Sequence, residues 1–153
     1  VIASRRGDIW KLVASHLLVI PTNIGWKPRD GRNVMGKGLA LQAAGKHPYF
    51  PLWYGLECMK KRAETPVLLY PHAPLIAFPV KPLNEATPWL SWKSKADLGL
   101  IERSAKQLAE MKTDHPVAVS MVGCGAGGLE MADVRPILDK YLSDPRFTLI
   151  LFN

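Results

Sequence analysis

Short apolar runs, each closed by a turn-forming residue, punctuate the chain and set its secondary structure. They fall at His16–Pro21, Val67–Tyr70, Leu75–Phe78, Val117–Val122 and Phe147–Phe152, and their length and bounding breakers suit buried strands. The opening stretch Val1–Arg6 reads as a further strand already inside the fold. Between the runs the apolar spacing changes to three and four residues. Leu98, Ile101, Ala105 and Leu108 share one helical face, as do Val134, Ile137, Leu138, Tyr141 and Leu142. Asp133 is suited to cap the latter helix, with Pro136 in its first turn, where a missing N–H is tolerated. Lys37–Lys46 gives another helix, with Leu39, Ala40, Ala43 and Ala44 on its apolar side, and Ile9–Ala14 a short one behind Asp8. Continuous apolar strands alternating with amphipathic helices predict a three-layer α/β/α sandwich around a mixed, mostly parallel central sheet. No repeat or low-complexity linker divides the chain, so residues 1–153 are expected to form a single domain.

Composition narrows the class. Apolar residues at 48% and charged residues at 22% are ordinary for a globular chain and exclude disordered, collagen-like and coiled-coil readings. No run approaches the ~18 apolar residues of a membrane span, and the first residues lack the apolar core of a secretory signal. Cys58 and Cys124 lie in unlike contexts and form no disulfide framework, so a reducing, cytoplasmic setting is expected. His16, His47, His72 and His115 are scattered, no Cys/His pair has zinc spacing, and neither a metal nor a cofactor is expected. The excess of 20 basic over 13 acidic residues gives a net charge of +7. That charge favours polyanionic partners such as nucleic acid or a pyrophosphate; because the basic residues form no dense run, solubility explains it equally well.

Two glycine-rich loops each follow a strand and open into a helix, where α/β folds hold their ligands. The first is Thr22-Asn23, then Gly31-Arg32-Asn33-Val34-Met35-Gly36-Lys37-Gly38; the second is Gly123-Cys124-Gly125-Ala126-Gly127-Gly128-Leu129. Without a Cβ the backbone can approach a phosphate closely, and its N–H groups, together with the helix dipole, stabilise an anion. Tight turns alone would account for the first loop as readily, but less so for the density of glycine in the second. Gly36-Lys37-Gly38 lacks the spacing and the Lys-Ser/Thr ending of a P-loop, and the second loop has no acidic residue at the Rossmann position. Nucleotide binding is therefore expected without kinase or dehydrogenase chemistry.

Gly7-Asp8-Ile9, Pro21-Thr22-Asn23, the run Met35-Gly36-Lys37-Gly38-Leu39-Ala40-Leu41-Gln42 and the second glycine loop occur in an order that resembles macrodomains, the ADP-ribose-binding α/β/α modules. The wording looks most like the branch that holds the DNA-ADP-ribosylation antitoxin DarG and the terminal ADP-ribose protein glycohydrolase. The resemblance implies that Asp8 and Ile9 hold adenine, although Asp8 in that position also caps a helix. It implies that Asn23 bonds the distal ribose and that Asn33, Met35, Gly36, Lys37 and Gly38 of the first loop contact the ligand, although Asn33 is as readily a turn former and the Lys37 side chain can point to solvent. Gly123, Cys124, Gly125, Ala126, Gly127, Gly128 and Leu129 would grip the diphosphate and the distal ribose. Met131 stands where the branch often has Trp, and Gly127 stands where the protein glycohydrolase has an acidic residue.

Lys81 is the residue to which chemistry is assigned. It ends the strand Ile76–Val80 and resembles the strand-end lysine of that branch. A lysine desolvated beside glycines has a lowered pKa and can attack the ring-opened sugar as a Schiff-base nucleophile, or it can stay charged and stabilise a leaving oxyanion. The implied activity is a hydrolase that removes ADP-ribose from modified DNA or protein. An ADP-ribose 1''-phosphate phosphatase and a non-catalytic ADP-ribose reader are the alternatives. The segment Pro82–Lys95 interleaves Trp89 and Trp92 with Lys93 and Lys95, a pattern that can stack bases and pair phosphates or can simply pack beneath the loop. His47 reads as a helix-end residue, and Cys124 as a small packing thiol.

Overall fold

Alternation along the strands sends successive side chains into two separate cores. In the computed structural model, which describes residues 1–152 and leaves Asn153 outside, the strands are β1 (Ala3–Arg6), β2 (Leu17–Asn23), β3 (Leu68–Leu69), β4 (Leu75–Lys81), β5 (Val117–Val119) and β6 (Phe147–Leu151). They form one sheet in the order β1-β6-β5-β2-β4-β3. All pairings are parallel except β3 with β4. Leu17 and Val19 of β2, Ile76 and Phe78 of β4, and Phe147 and Leu149 of β6 face one core, while Leu18, Ile20, Leu75, Ala77 and Ile150 face the other. The first core is closed by α3 (Leu98–Glu110) and α4 (Met131–Tyr141), through Ile101, Ala105, Leu108, Val134 and Leu138. The second is closed by α1 (Gly38–Lys46) and α2 (Phe50–Lys61), with a 3-10 turn at Ile9–Leu12. This is the expected three-layer sandwich with a mixed, mostly parallel sheet.

Several elements differ from the sequence expectation. Helix α2 is unforeseen, although Phe50, Tyr54 and Cys58 recur every four residues and all three are buried. Pro51 in its first turn and Gly55 in its middle mask the pattern, and both are buried in contacts rather than breaking the helix. Helix α4 starts before Asp133, at Met131; Glu130 holds the cap position without a side-chain bond, Asp133 sits in the first turn, and Pro136 lies inside the helix. Asp133 therefore favours the positive helix end through its charge rather than as a cap. Residues Ile9–Leu12 form a 3-10 turn instead of a longer helix. The segment after Val119 leaves the sheet, since the N–H of Val122 bonds to the carbonyl of Ser120 at 2.8 Å. No described helix is long and apolar enough to cross a membrane.

Helix α2 also carries the foundation of the first glycine loop. Tyr54 is fully buried, and its hydroxyl accepts a 2.8 Å hydrogen bond from the Thr22 hydroxyl of β2. Burial raises the Tyr54 pKa and pushes the Cys58 thiol up to about 12, so both groups stay neutral. Next to Tyr54 and a turn before Cys58, Gly55 lets the loop cross α2 at backbone distance: a Cβ there would overlap the carbonyl of Gly31 and come within 2.6 Å of the Asn33 nitrogen. Gly55→Ala is expected to lower the unfolding free energy by about 1–3 kcal/mol, the usual cost of overpacking. Helix propensity alone would raise it by up to ~1 kcal/mol, so urea melts of the two proteins give opposite signs for the two effects.

Candidate functional site

The chain leaves β2 for β4 on one side, then crosses back to β5 on the other, so the loops after β2 and β5 part at the middle of the sheet. Ligands of open α/β sheets bind at such a switch point. Here β2 and β5 pair only through Leu17 with Val117 and Leu18 with Ala118. Beyond that, β2 runs on to Asn23 while the chain after β5 turns away, and a cavity of about 450 Å³ opens between them. Pro21, Thr22 and Asn23 of β2 and Val80 and Lys81 of β4 form its floor; the first loop contributes Val34 to Gly38, and the second contributes Gly123, Gly125, Ala126 and Gly127. Asn23 and Ala126 thus face the same cavity.

The first loop is folded against β2 by one buried amide. Asn33 is 2% exposed, and its Nδ2 donates to the Asn23 carbonyl at 2.9 Å, to Asn23 Oδ1 at 3.0 Å and to the Gly25 carbonyl at 2.8 Å. Asn23 in turn donates from Nδ2 to the Val34 carbonyl at 2.8 Å. Asn33 consequently holds the loop together, as a turn-forming residue would, and is not among the residues that line the cavity. Past it, Met35, Gly36, Lys37 and Gly38 reach the cavity, and Gly38, with φ +57°, turns the chain into α1.

The second loop divides its amides. The N–H groups of Cys124, Gly128 and Leu129 bond to carbonyls within the loop or just before it, at 3.2, 3.1 and 3.0 Å. Among the described residues, no acceptor takes the N–H of Gly125, Ala126 or Gly127, and these three line the cavity. Consecutive unbonded N–H groups of this kind form an anion-binding concavity. Cys124, Gly128 and Leu129 stand outside the lining. The thiol of Cys124 is half-buried, and burial, then Glu130 and Asp133, raises its pKa, which fits a packing role. Met131 is 53% exposed, and it is Leu129 that packs on Gly123. Gly127 has no room for a side chain, because a Cβ would stand 2.5 Å from the Gly123 carbonyl oxygen and 2.8 Å from the Ala96 Cβ.

Among the described residues, Lys37 and Lys81 are the charged ones of the lining, and no carboxylate side chain joins them. Lys81 is half-buried at the end of β4, and its Nζ donates to the Trp92 carbonyl at 2.6 Å. Burial, then the charge of Lys37, lowers its pKa below the usual lysine value. Asp8 and Ile9 lie outside the cavity. The Asp8 carboxylate caps the Ile9–Leu12 turn by accepting from the Trp10 N–H at 3.0 Å. Of the two loop tryptophans, Trp92 is half-buried and lines the cavity, while Trp89 is 39% exposed.

Sequence reasoning missed Ser120, Gln42 and Phe152, which also face the cavity. Gln42 accepts a 2.6 Å bond from the Trp10 indole, a pairing with no local signal. Phe152 is 63% exposed at the rim, where an aromatic just beyond the last strand was the available clue.

No protein-family model matches the chain. Among curated proteins, it is 31% identical over 127 residues to the DNA ADP-ribosyl transferase-DNA ADP-ribosyl glycohydrolase fusion protein of Thermosipho africanus (strain H17ap60334). That alignment covers 72% of this chain and 33% of the relative, so the chain spans about a third of the protein it matches. The macrodomain of Mycobacterium tuberculosis DarG superposes with a TM-score of 0.71 at 25% identity, covering 98% of this chain and 97% of that one. Thermosipho africanus DarTG in complex with ADP-ribose gives 0.71 at 23% identity, over 96% of this chain and 40% of that one. The macrodomain of Thermus aquaticus DarG gives 0.72 at 22% identity, over 100% and 98%. The chain has the macrodomain fold, and in sequence and in full-length structure it resembles the macrodomains of DarG proteins.

Proposed function

We propose that the cavity binds ADP-ribose and that the chain hydrolyses the bond joining ADP-ribose to a modified macromolecule, with Lys81 as the catalytic residue. One observation carries this reading. Among the described residues, a cavity of ligand size has two lysines and no carboxylate side chain in its lining, and the unbonded N–H groups of Gly125, Ala126 and Gly127 share it with the Gly36–Gly38 turn. A pyrophosphate satisfies those donors and the Lys37 charge, which leaves the Lys81 amine for the distal sugar. In this reading the free oxygen of the Asp8 carboxylate and the Ile9 N–H take adenine, and the exposed ring of Phe152 offers it a face. The amide hydrogen of Asn23 that its protein bonds leave over takes the distal ribose.

Held at both ends, the nucleotide presents its anomeric carbon to Lys81, an orientation effect worth ~7–11 kcal/mol at the extreme. The neutral amine adds to that carbon as the bond to the macromolecule breaks, and the amine proton leaves with the departing group. The resulting glycosylamine opens to an imine, which water hydrolyses to free ADP-ribose and lysine. A DNA-borne adduct is favoured as substrate by the net charge of +7 and by the activity named for the Thermosipho relative.

Lys81→Ala is expected to slow release of ADP-ribose from ADP-ribosylated DNA by about 10²-fold or more, while calorimetric affinity for ADP-ribose changes by no more than a few-fold. Phosphate release from ADP-ribose 1''-phosphate that survives the substitution would instead identify a phosphatase, and wild-type binding with no turnover would identify a reader. A pH profile separates the two roles of the lysine. Because its pKa lies below 10.5, nucleophilic attack gives a rate that rises with pH up to that lowered value and then levels. Catalysis by the ammonium gives a rate that falls across the same range. Gly127→Asp, which forces a side chain against Gly123 and Ala96, is expected to weaken ADP-ribose binding by about tenfold or more on the affinity scale, rather than to add a useful carboxylate.

A further inference from the structure

The segment between β4 and α3 is tied down at every stage. The Asp97 N–H bonds to the Val80 carbonyl at 2.9 Å, and the Ala96 N–H to the Gly127 carbonyl at 2.9 Å. Before them in the chain, the 3-10 helix Pro88–Lys93 presents the Trp92 carbonyl to Lys81 Nζ. What seats that helix is the absence of a side chain at residue 25, just past β2. A Cβ on Gly25 would overlap the Pro88 carbonyl and stand 2.8 Å from Ser91 Cβ and 2.9 Å from its Oγ. Gly25 is outside the left-handed region, so glycine is needed there for space and not for backbone conformation. Ser91 is 0% exposed, and its hydroxyl accepts from the Asn84 N–H at 2.9 Å, folding the start of the segment over the helix. The Gly25 carbonyl is meanwhile held by Asn33, so the seat is fixed to the first glycine loop.

We infer that Gly25 and Ser91 are positioning residues for Lys81: they seat the Pro88–Lys93 helix so that its Trp92 carbonyl holds the lysine amine at the end of β4. The inference rests on the catalytic assignment of Lys81 made above. A lysine on a flexible stem samples many rotamers, and a single fixed acceptor restricts the amine while leaving its remaining valences for the sugar. The same helix covers the amine, and this cover contributes to the burial that lowers its basicity. Lys37 of the lining is the charged group that bears on it; Lys93 lies over the Trp92 ring, 5.4 Å from its centre.

The test uses Gly25→Ala and Ser91→Ala, with Glu85→Gln, an exposed change on the same segment, as control. Acetylation of Lys81 by acetic anhydride is followed against pH by mass spectrometry of its peptide, a readout that needs neither ligand nor turnover. Both variants are expected to move the midpoint upward, toward an ordinary lysine, as the cover lifts, while Glu85→Gln leaves it unchanged. On ADP-ribosylated DNA, kcat is expected to fall by about tenfold or more for Gly25→Ala, the scale of a small misplacement of a reacting group, with ADP-ribose affinity held within a few-fold. Unchanged midpoints in both variants would overturn the inference. A shifted midpoint in a protein whose wild type releases no ADP-ribose would uphold the positioning of Lys81 and overturn the functional reading instead. Should Gly25→Ala fail to fold, Ser91→Ala, which removes one buried hydroxyl and adds no atom, decides the matter.

Discussion

A single carboxamide decides whether this molecule has a cavity. The stretch from Ile24 to Asn33 leaves the end of β2 and must return beside it, and the Asn33 side chain draws it back, bonding the Asn23 backbone, the Asn23 side chain and the Gly25 carbonyl, while the Asn33 N–H bonds the Pro51 carbonyl of α2. Those acceptors would be costly to bury unpaired. Asn33 Oδ1 is left buried without a partner, a cost the network carries because the amide hydrogens are all committed to the loop. With the loop returned, Gly36 to Gly38 stand across from the second glycine loop, and Asn23 is oriented by Val34. Gly55 on α2 makes the return possible by offering bare backbone to Gly31 and Asn33.

The electrostatics of the cavity follow from what was left out of it. Parallel strands point their carboxyl ends at one edge, where loop amides accumulate, and a carboxylate among them would compete with any anionic ligand for those donors. Among the described residues no carboxylate side chain lines this cavity; Lys37 and Lys81 do. Burial lowers the pKa of Lys81, and the charge of Lys37 facing the same space lowers it further. The pair is therefore least comfortable when the cavity lacks an anion, a condition that favours uptake of a pyrophosphate over any neutral ligand.

The layered fold was legible because alternation and helical spacing are local signals: β2, β4 and β6 alternate cleanly between two cores, and α3 shows its apolar face in the chain itself. Helix α2 was hidden by Pro51 and Gly55, residues that usually end helices but here serve its first turn and a backbone crossing. The early start of α4 was hidden because Glu130 occupies the cap position without capping. At the site, glycine density pointed to two loops but could not tell which amides stay unbonded. Gly128 and Leu129 spend theirs on a turn that only three-dimensional closure reveals. Asn33 reads equally as a ligand contact or a turn former and is a brace, since side-chain to backbone bonds across a folded loop leave no periodic trace. Phe152, just past β6, comes to the cavity from a part of the chain distant from both loops, and Ser120, just past β5, carries no glycine signal of its own.

Ala96 links the two halves of the site. Its N–H bonds the Gly127 carbonyl and its methyl fills the space that a side chain at 127 would need, while the next residue, Asp97, ties back to β4 just before Lys81. The second glycine loop and the lysine are thus built against the same short stretch of chain. In a relative that carries an acidic residue at the Gly127 position, that stretch would have to lie elsewhere, and with it the cover over the strand-end lysine. A site of this form can have the packed segment or the extra carboxylate, but not both in the same space. The chain has the segment, so its second glycine loop faces the cavity with backbone N–H groups and without an acid at position 127.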